Sequence, residues 1–334
     1  MEQLSCIEEQ IPGYEDHILS EIDMPLRKLL YPLGFPVEVI SNSHHVIAAA
    51  EQSWSAFQPL FDVKPLTIKL GVTSTPENSL PLSSAPICRI DEHIISHTAD
   101  RYNFINCDLN TGSAFGWITS QTANTTLYLR YYLIEAAALC MLSVIRVAAL
   151  HAACISSNGC GLLLCGDSGA GKSSLAFAAA RAGWTFTSDD TSYLLLDRNN
   201  FTVVGNCYQF RLRDSAPKLF PELAGREITP RAAGKPSIEI PTSELPDIAT
   251  SRLTQVNAIV FLNRKNITGP ELVSFSQDVA RSWIYQLPFI KIVSAHRQVK
   301  AIDSLLDLPV YELRYTDLDE AVECLNKLAG QGSR

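Results

Sequence analysis

The stretch "LLLCGDSGAGKSSLAFAAARAGW", residues 162–184, constrains the fold more than any other. An apolar, strand-like run enters a glycine-rich turn, and an alanine-rich helical segment leaves it. "GDSGAGKS" matches G-x-x-x-x-G-K-[ST], with Gly166, Gly171, Lys172 and Ser173 at the fixed positions. Glycines let the backbone curl so that successive N–H groups point at phosphate oxygens, while the helix that follows presents its N-terminus to the same anion. The expected nucleotide cradle therefore comprises Gly166, Asp167, Ser168, Gly169, Ala170, Gly171, Lys172, Ser173 and Ser174. Lys172 is expected to reach the β- and γ-phosphates of ATP or another NTP, and the Ser173 hydroxyl to bind Mg²⁺. A kinase, a hydrolase and a nucleotide sensor all fit this loop.

The flanking elements narrow the choice. Upstream, "HAACISSNGCGLLLCG" places Asn-Gly between two apolar runs, the signature of a tight hairpin whose turn residues need positive φ. The strand entering the glycine loop thus acquires an antiparallel partner immediately before it in sequence, unlike the first strand of a simple βαβ unit. His151 opens that hairpin. Downstream, Gly183 is placed to end the helix, and the strand "TFTS" runs into Asp189 and Asp190. One helix and one return strand bring that pair back to the phosphate end of the sheet. One carboxylate can ligate Mg²⁺ while the other takes a proton from an attacking hydroxyl. Adjacent carboxylates titrate as a pair. A basic stretch over residues 210–241 supplies Arg211, Arg213 and Lys235 as a candidate phosphate or substrate clamp, against a plain solvated loop of alternating charge.

Composition sets outer limits. The 334-residue chain is long for one core, 46% hydrophobic and 19% charged, which describes a globular protein. A net charge of -8 argues against a broad nucleic-acid surface. The acidic N-terminus lacks the pattern of a signal peptide. "LIEAAALCMLSVIRVAAL" is interrupted by Glu135 and Arg146 and is expected to be a buried helix, with no membrane association. Nine scattered cysteines without a C-x-x-C pair fit reduced thiols and a cytoplasmic location. Strands are expected at "PVEVISN", "PLTIKLGV", "ICRID" and "YNFINCDL", and a helix at "SHHVIAAAEQSWSAF". The pattern turns helical from Thr126 to about Leu150. Further on, "SYLLLD" and "FTVVG" make a second hairpin, "NAIVFLNR" a buried strand and "LDEAVECLNKLAG" a closing amphipathic helix. The expected architecture is α/β with a mixed sheet, divided into an N-terminal α+β domain (1–125), with acceptor recognition one role open to it, and a catalytic domain (126–334).

"HAACI", "GDSGAGKS", the helix ending "ARAGW" and the strand ending "SDD" together resemble the HPr kinase/phosphorylase family, closely over residues 151–190 and more loosely beyond. The resemblance implies a phosphate loop on a core similar to phosphoenolpyruvate carboxykinase, with an antiparallel strand beside the loop. It matches His151, Lys172, Ser173, Asp189 and Asp190 to active-site positions and makes Asp190 the base that activates a serine hydroxyl. Asp189 and Ser173 are then the Mg²⁺ ligands, with the reverse assignment of the two aspartates open. Ser174 stands where HPr kinases carry glutamate, and "GKPSIEIP" offers only Glu239 in place of their E-x-R-G-L-G signature. The resemblance therefore points to an HPr kinase-like protein: an ATP- and Mg²⁺-dependent kinase for a serine of a peptide or small protein, or for a small hydroxyl metabolite. A nucleotide-binding regulator and an NTP hydrolase without phosphotransfer are the alternatives, and homo-oligomerisation is open.

Overall fold

A computed structural model describes residues 23–77, 81–198, 200–232, 234–265, 269–285 and 296–331. The N-terminal stretch read against a signal peptide lies almost wholly outside them.

The first half builds a sheet from β1 (Leu26–Leu30), β2 (Val37–Ser41), β3 (Leu66–Thr73), β4 (Ile87–Asp91), β5 (Ile94–Thr98), β6 (Phe104–Asp108) and β7 (Ser113–Thr119), in the order β1-β2-β3-β7-β6-β5-β4. Helix α1 (His44–Trp54) crosses between β2 and β3, which pair in parallel. Ser43 caps it by accepting the His45 N–H. The four strands expected in this half are present, and β1, β5 and β7 join them. One face of the sheet packs on α2 (Thr126–Ile145) through Leu129, Leu133, Ala137 and Met141. α2 is long and apolar enough to cross a membrane, yet 61% of its most apolar window is buried inside the protein.

The expected helix to Leu150 stops short, because Val147–Leu150 is a strand, β8. Both faces of "VAAL" are covered, so its apolar run carries no helical or strand period. A second sheet continues from β8 with β9 (Ala153–Ser157), β10 (Cys160–Cys165), α3 (Lys172–Arg181), β11 (Thr185–Ser188), β12 (Ser192–Leu195) and β13 (Thr202–Gly205). The hairpin β9–β10 turns at Asn158 and Gly159, whose φ values of 51° and 77° are those a primed turn requires. The basic stretch, read as either a clamp of donors or a solvated loop, folds into a small sheet, ordered β14 (Gln209–Arg213), β16 (Ser237–Pro241) and β15 (Ile228–Thr229). "QFRLR" buries Phe210 and Leu212 and turns its arginines outward, and that alternation is what makes it a strand.

Strand β17 (Leu253–Asn263) is the spine of the second sheet. It runs parallel to β10, carries antiparallel β13 along Leu253–Gln255, and carries β19 (Val310–Arg314) in parallel along Ile259–Asn263. The edge strand β18 (Glu271–Ser274) pairs with β19. Helices α4 (Gln277–Ile284), α5 (His296–Leu305) and α6 (Leu318–Gln331) complete the chain. Leu162 and Leu164 of β10 pack with α3 and α6, while Leu163 and Cys165 pack with α4 and α5, so the strand is buried on both faces. The parallel strands β10, β17 and β19 all end at one edge, where ligands of α/β sheets characteristically bind. The eight described cysteines are free thiols.

Candidate functional site

The glycine loop leaves β10 at that edge. Gly166, Gly169 and Gly171 take φ values of 144°, 89° and 101°, all outside the range ordinary side chains favour. A Cβ on Gly171 would stand 2.7 Å from the Tyr315 hydroxyl, so packing as well as φ demands glycine there. The Ala170 N–H closes a turn on the Asp167 carbonyl, and the Ala170 carbonyl accepts the Tyr315 hydroxyl at 3.2 Å. Lys172 and Ser173 start α3, with Ser174 beside them in its first turn. The Lys172 ammonium donates to the carbonyls of Gly166 at 2.7 Å and Asp167 at 3.3 Å, curling back over its own loop. Burial lowers its pKa.

Two side chains from distant elements hold the loop from outside. The Arg213 guanidinium donates to the Ser168 hydroxyl at 3.2 Å, and the Trp283 indole N–H donates to Asp167 Oδ1 at 3.1 Å. Trp283 is braced edge-on against Phe261.

The aspartate pair arrives as its spacing from Lys172 predicts. The Ser173 hydroxyl donates to the backbone carbonyl of Asp189 at 3.1 Å. The Asp189 carboxylate is buried and accepts the Arg211 backbone N–H at 2.5 Å. Desolvation pushes its pKa up to about 7, against the downward pull of that hydrogen bond. Asp190 faces the other way, with about half of its side chain exposed and His151 Nδ1 3.5 Å from its Oδ1. Burial, helped by Lys172, lowers the His151 pKa against the opposing pull of Asp190, so near neutral pH the imidazole beside that carboxylate is uncharged.

The three clamp candidates separate. Arg213 reaches the loop directly, and Arg211 reaches the site through its backbone. The Arg211 side chain lies 3.4 Å from Glu239, which also accepts from Gln209 at 2.7 Å. Lys235 is exposed in the turn before β16, and no bond joins it to the loop among the described residues. Trp283, Tyr315 and Arg264, which packs beside Gly171, went unread in the sequence. They come from elements far along the chain and belong to no local motif.

Ser173 and the carboxylates are hard oxygen donors of the kind Mg²⁺ takes. Among the described residues no group of three or more His, Cys, Asp or Glu is arranged to hold a metal ion, so phosphate oxygens and water would have to complete such a site.

No protein-family model matches the chain, and no curated protein matches it. Among solved structures, the HPr(Ser) kinase/phosphatase from Coxiella burnetii is similar over 55% of this chain and 93% of that one, at 13% identity and a TM-score of 0.32. A likeness of that size carries no argument about mechanism; the geometry of the site has to.

Proposed function

We propose that the protein is an ATP- and Mg²⁺-dependent kinase that transfers the γ-phosphoryl group to a hydroxyl, with a serine of a peptide or small protein as acceptor. The observation that carries this reading is the hydrogen bond from Ser173 to the Asp189 carbonyl, which holds the aspartate pair against the first turn of the phosphate loop. A sensor needs only to bind nucleotide; the half-exposed carboxylate of Asp190 beside the loop gives an attacking hydroxyl a base to meet, and the acceptor test below separates transfer to a serine from transfer to water.

In this reading the loop amides and Lys172 take the β- and γ-phosphates, the ammonium exchanging its two carbonyl partners for phosphate oxygens. Ser173 and Asp189 would hold Mg²⁺, which would supply charge neutralisation for the phosphates. Asp190 accepts the acceptor's hydroxyl proton as that oxygen attacks the γ-phosphorus, and the bond to the β–γ bridging oxygen breaks to leave ADP. His151 orients the Asp190 carboxylate, and Arg213, already at the loop, steadies the negative charge of the transferring group.

The test is incubation of the full chain with γ-labelled ATP, Mg²⁺ and an extract of the source cell, followed by identification of the labelled species by mass. A labelled serine peptide or protein is expected. Release of phosphate alone, at a rate indifferent to the extract, contradicts the reading.

A further inference from the structure

Beside the glycine loop, a groove of about 470 Å³ opens between α3 and the start of α6. It is lined by Ala178, Arg181 and Ala182 on one side, by Arg264 and residues 316–319 on the other, and by Leu219 and Phe220. Its volume falls in the ~300–1,000 Å³ range of small-molecule sites. Arg264 joins the groove to the loop: its guanidinium lies 3.6 Å from where a Gly171 Cβ would stand, and it packs over the Tyr315 ring at 5.6 Å. Ala178 lies seven residues beyond Gly171 along α3, roughly 10 Å at 1.5 Å per residue.

The lining fits an uncharged, partly aromatic occupant. Arg181 is already paired with Glu222 at 2.6 Å and packed against the rings of Phe177 and Phe220, so it forms a wall with its charge already neutralised. Asp317 Oδ1 already accepts the N–H groups of Asp319 and Glu320 at the start of α6, which leaves its Oδ2 and the Asp319 carboxylate to repel a phosphate here and to accept hydroxyl and amino hydrogens. Leu219 leaves 45% of its surface exposed at the rim, an apolar area that a flat ring would cover. The groove also sits beyond the carboxyl ends of β17 and β19, on the α3 side of the loop, within reach of a ligand whose phosphates lie in that loop.

We propose that this groove takes the nucleoside end of the phosphate donor, with the base against Leu219 and Phe220, the ribose hydroxyls toward Asp317 and Asp319, and Arg264 at the junction with the phosphates. The proposal rests on the phosphate-loop reading above.

Two ligands separate the two. Calorimetric titration of the full chain with Mg·ATP and with Mg·tripolyphosphate compares a donor that has a nucleoside with one that lacks it. ATP is expected to bind about tenfold tighter or better, a difference of about 1.4 kcal/mol. Thr316→Trp, at an exposed position on the groove wall, is expected to bring ATP down to the affinity of tripolyphosphate while leaving tripolyphosphate unchanged. Should that variant lose both ligands, Ala182→Trp, from the opposite wall, is judged on the same comparison. Equal affinity of the wild type for the two ligands, or a substituted groove that keeps the full preference for ATP, overturns the proposal and leaves the phosphate loop standing. A wild type that binds neither ligand overturns the phosphate-loop reading and the groove with it.

Discussion

The indole N–H of Trp283 donates to the carboxylate of Asp167 at 3.1 Å, tying α4 to a glycine loop 116 residues earlier in the chain. Trp54, Trp117 and Trp184, the other tryptophans, are each at most 8% exposed and sit in the cores. A ligand that enters the loop should therefore alter the emission of Trp283 alone. Addition of Mg·ATP is expected to shift or quench the intrinsic fluorescence, and Trp283→Phe to abolish that response while ATP still binds. A response that survives in the variant would assign it to another tryptophan.

Asp189 bears on stability as well as chemistry. Its carboxyl, near 3.8 when unfolded and raised to about 7 by burial in the fold, takes up a proton on folding. The stability of the wild type is therefore favoured below the unfolded value and lost as pH rises through about 7. Asp189→Asn, which does not titrate, escapes that loss. Its advantage in thermal stability over the wild type should widen between pH 5 and pH 8, by on the order of 2–3 kcal/mol. A gap that stays constant over that range contradicts the assignment of a raised pKa to this residue.

Gly171→Ala meets two penalties at once. A φ of 101° is costly for alanine, by about 1–2 kcal/mol, and the new Cβ falls 2.7 Å from the Tyr315 hydroxyl. Nucleotide affinity should drop about tenfold or more, the factor that 1.4 kcal/mol represents. Adding Tyr315→Phe removes the clash and leaves the φ penalty, so calorimetry on the double variant should recover part of the loss. Recovery to wild-type affinity would show that φ at this position does not matter.

Lys172→Ala removes the charge expected on the β- and γ-phosphates, along with two hydrogen bonds to carbonyls of its own loop. Phosphate transfer should vanish while circular dichroism and the cooperative melt persist, because no other described element depends on that ammonium. Undiminished transfer would remove the loop from the reaction.

The local grammar of this site was readable before the fold. Asn158–Gly159 predicts the hairpin, the spaced glycines the loop, and Gly183 the end of α3, because each needs a backbone conformation few residues adopt. The return of Asp189 and Asp190 to the loop follows from the length of one helix and one strand. Val147–Leu150 escaped because a strand buried on both faces has no period to read. The strand Gln209–Arg213 does alternate, but its arginines and the proline- and glycine-bearing run behind it read as a donor clamp or a solvated loop. The contacts of Trp283, Tyr315 and Arg264 arise from β17, α4 and the end of β19 meeting at one sheet edge, and nothing in the spacing of the chain encodes that meeting.

The central claim is that Asp190, with His151 Nδ1 3.5 Å from its carboxylate, takes the proton of an acceptor hydroxyl. The most direct measurement compares wild type and Asp190→Asn for transfer of label from γ-labelled ATP to the acceptor, alongside ATP affinity measured on the same preparations. The predicted result is transfer reduced by about 10²–10⁴-fold, the span general base catalysis supplies, with ATP affinity unchanged. Transfer at the wild-type rate by Asp190→Asn would contradict the account.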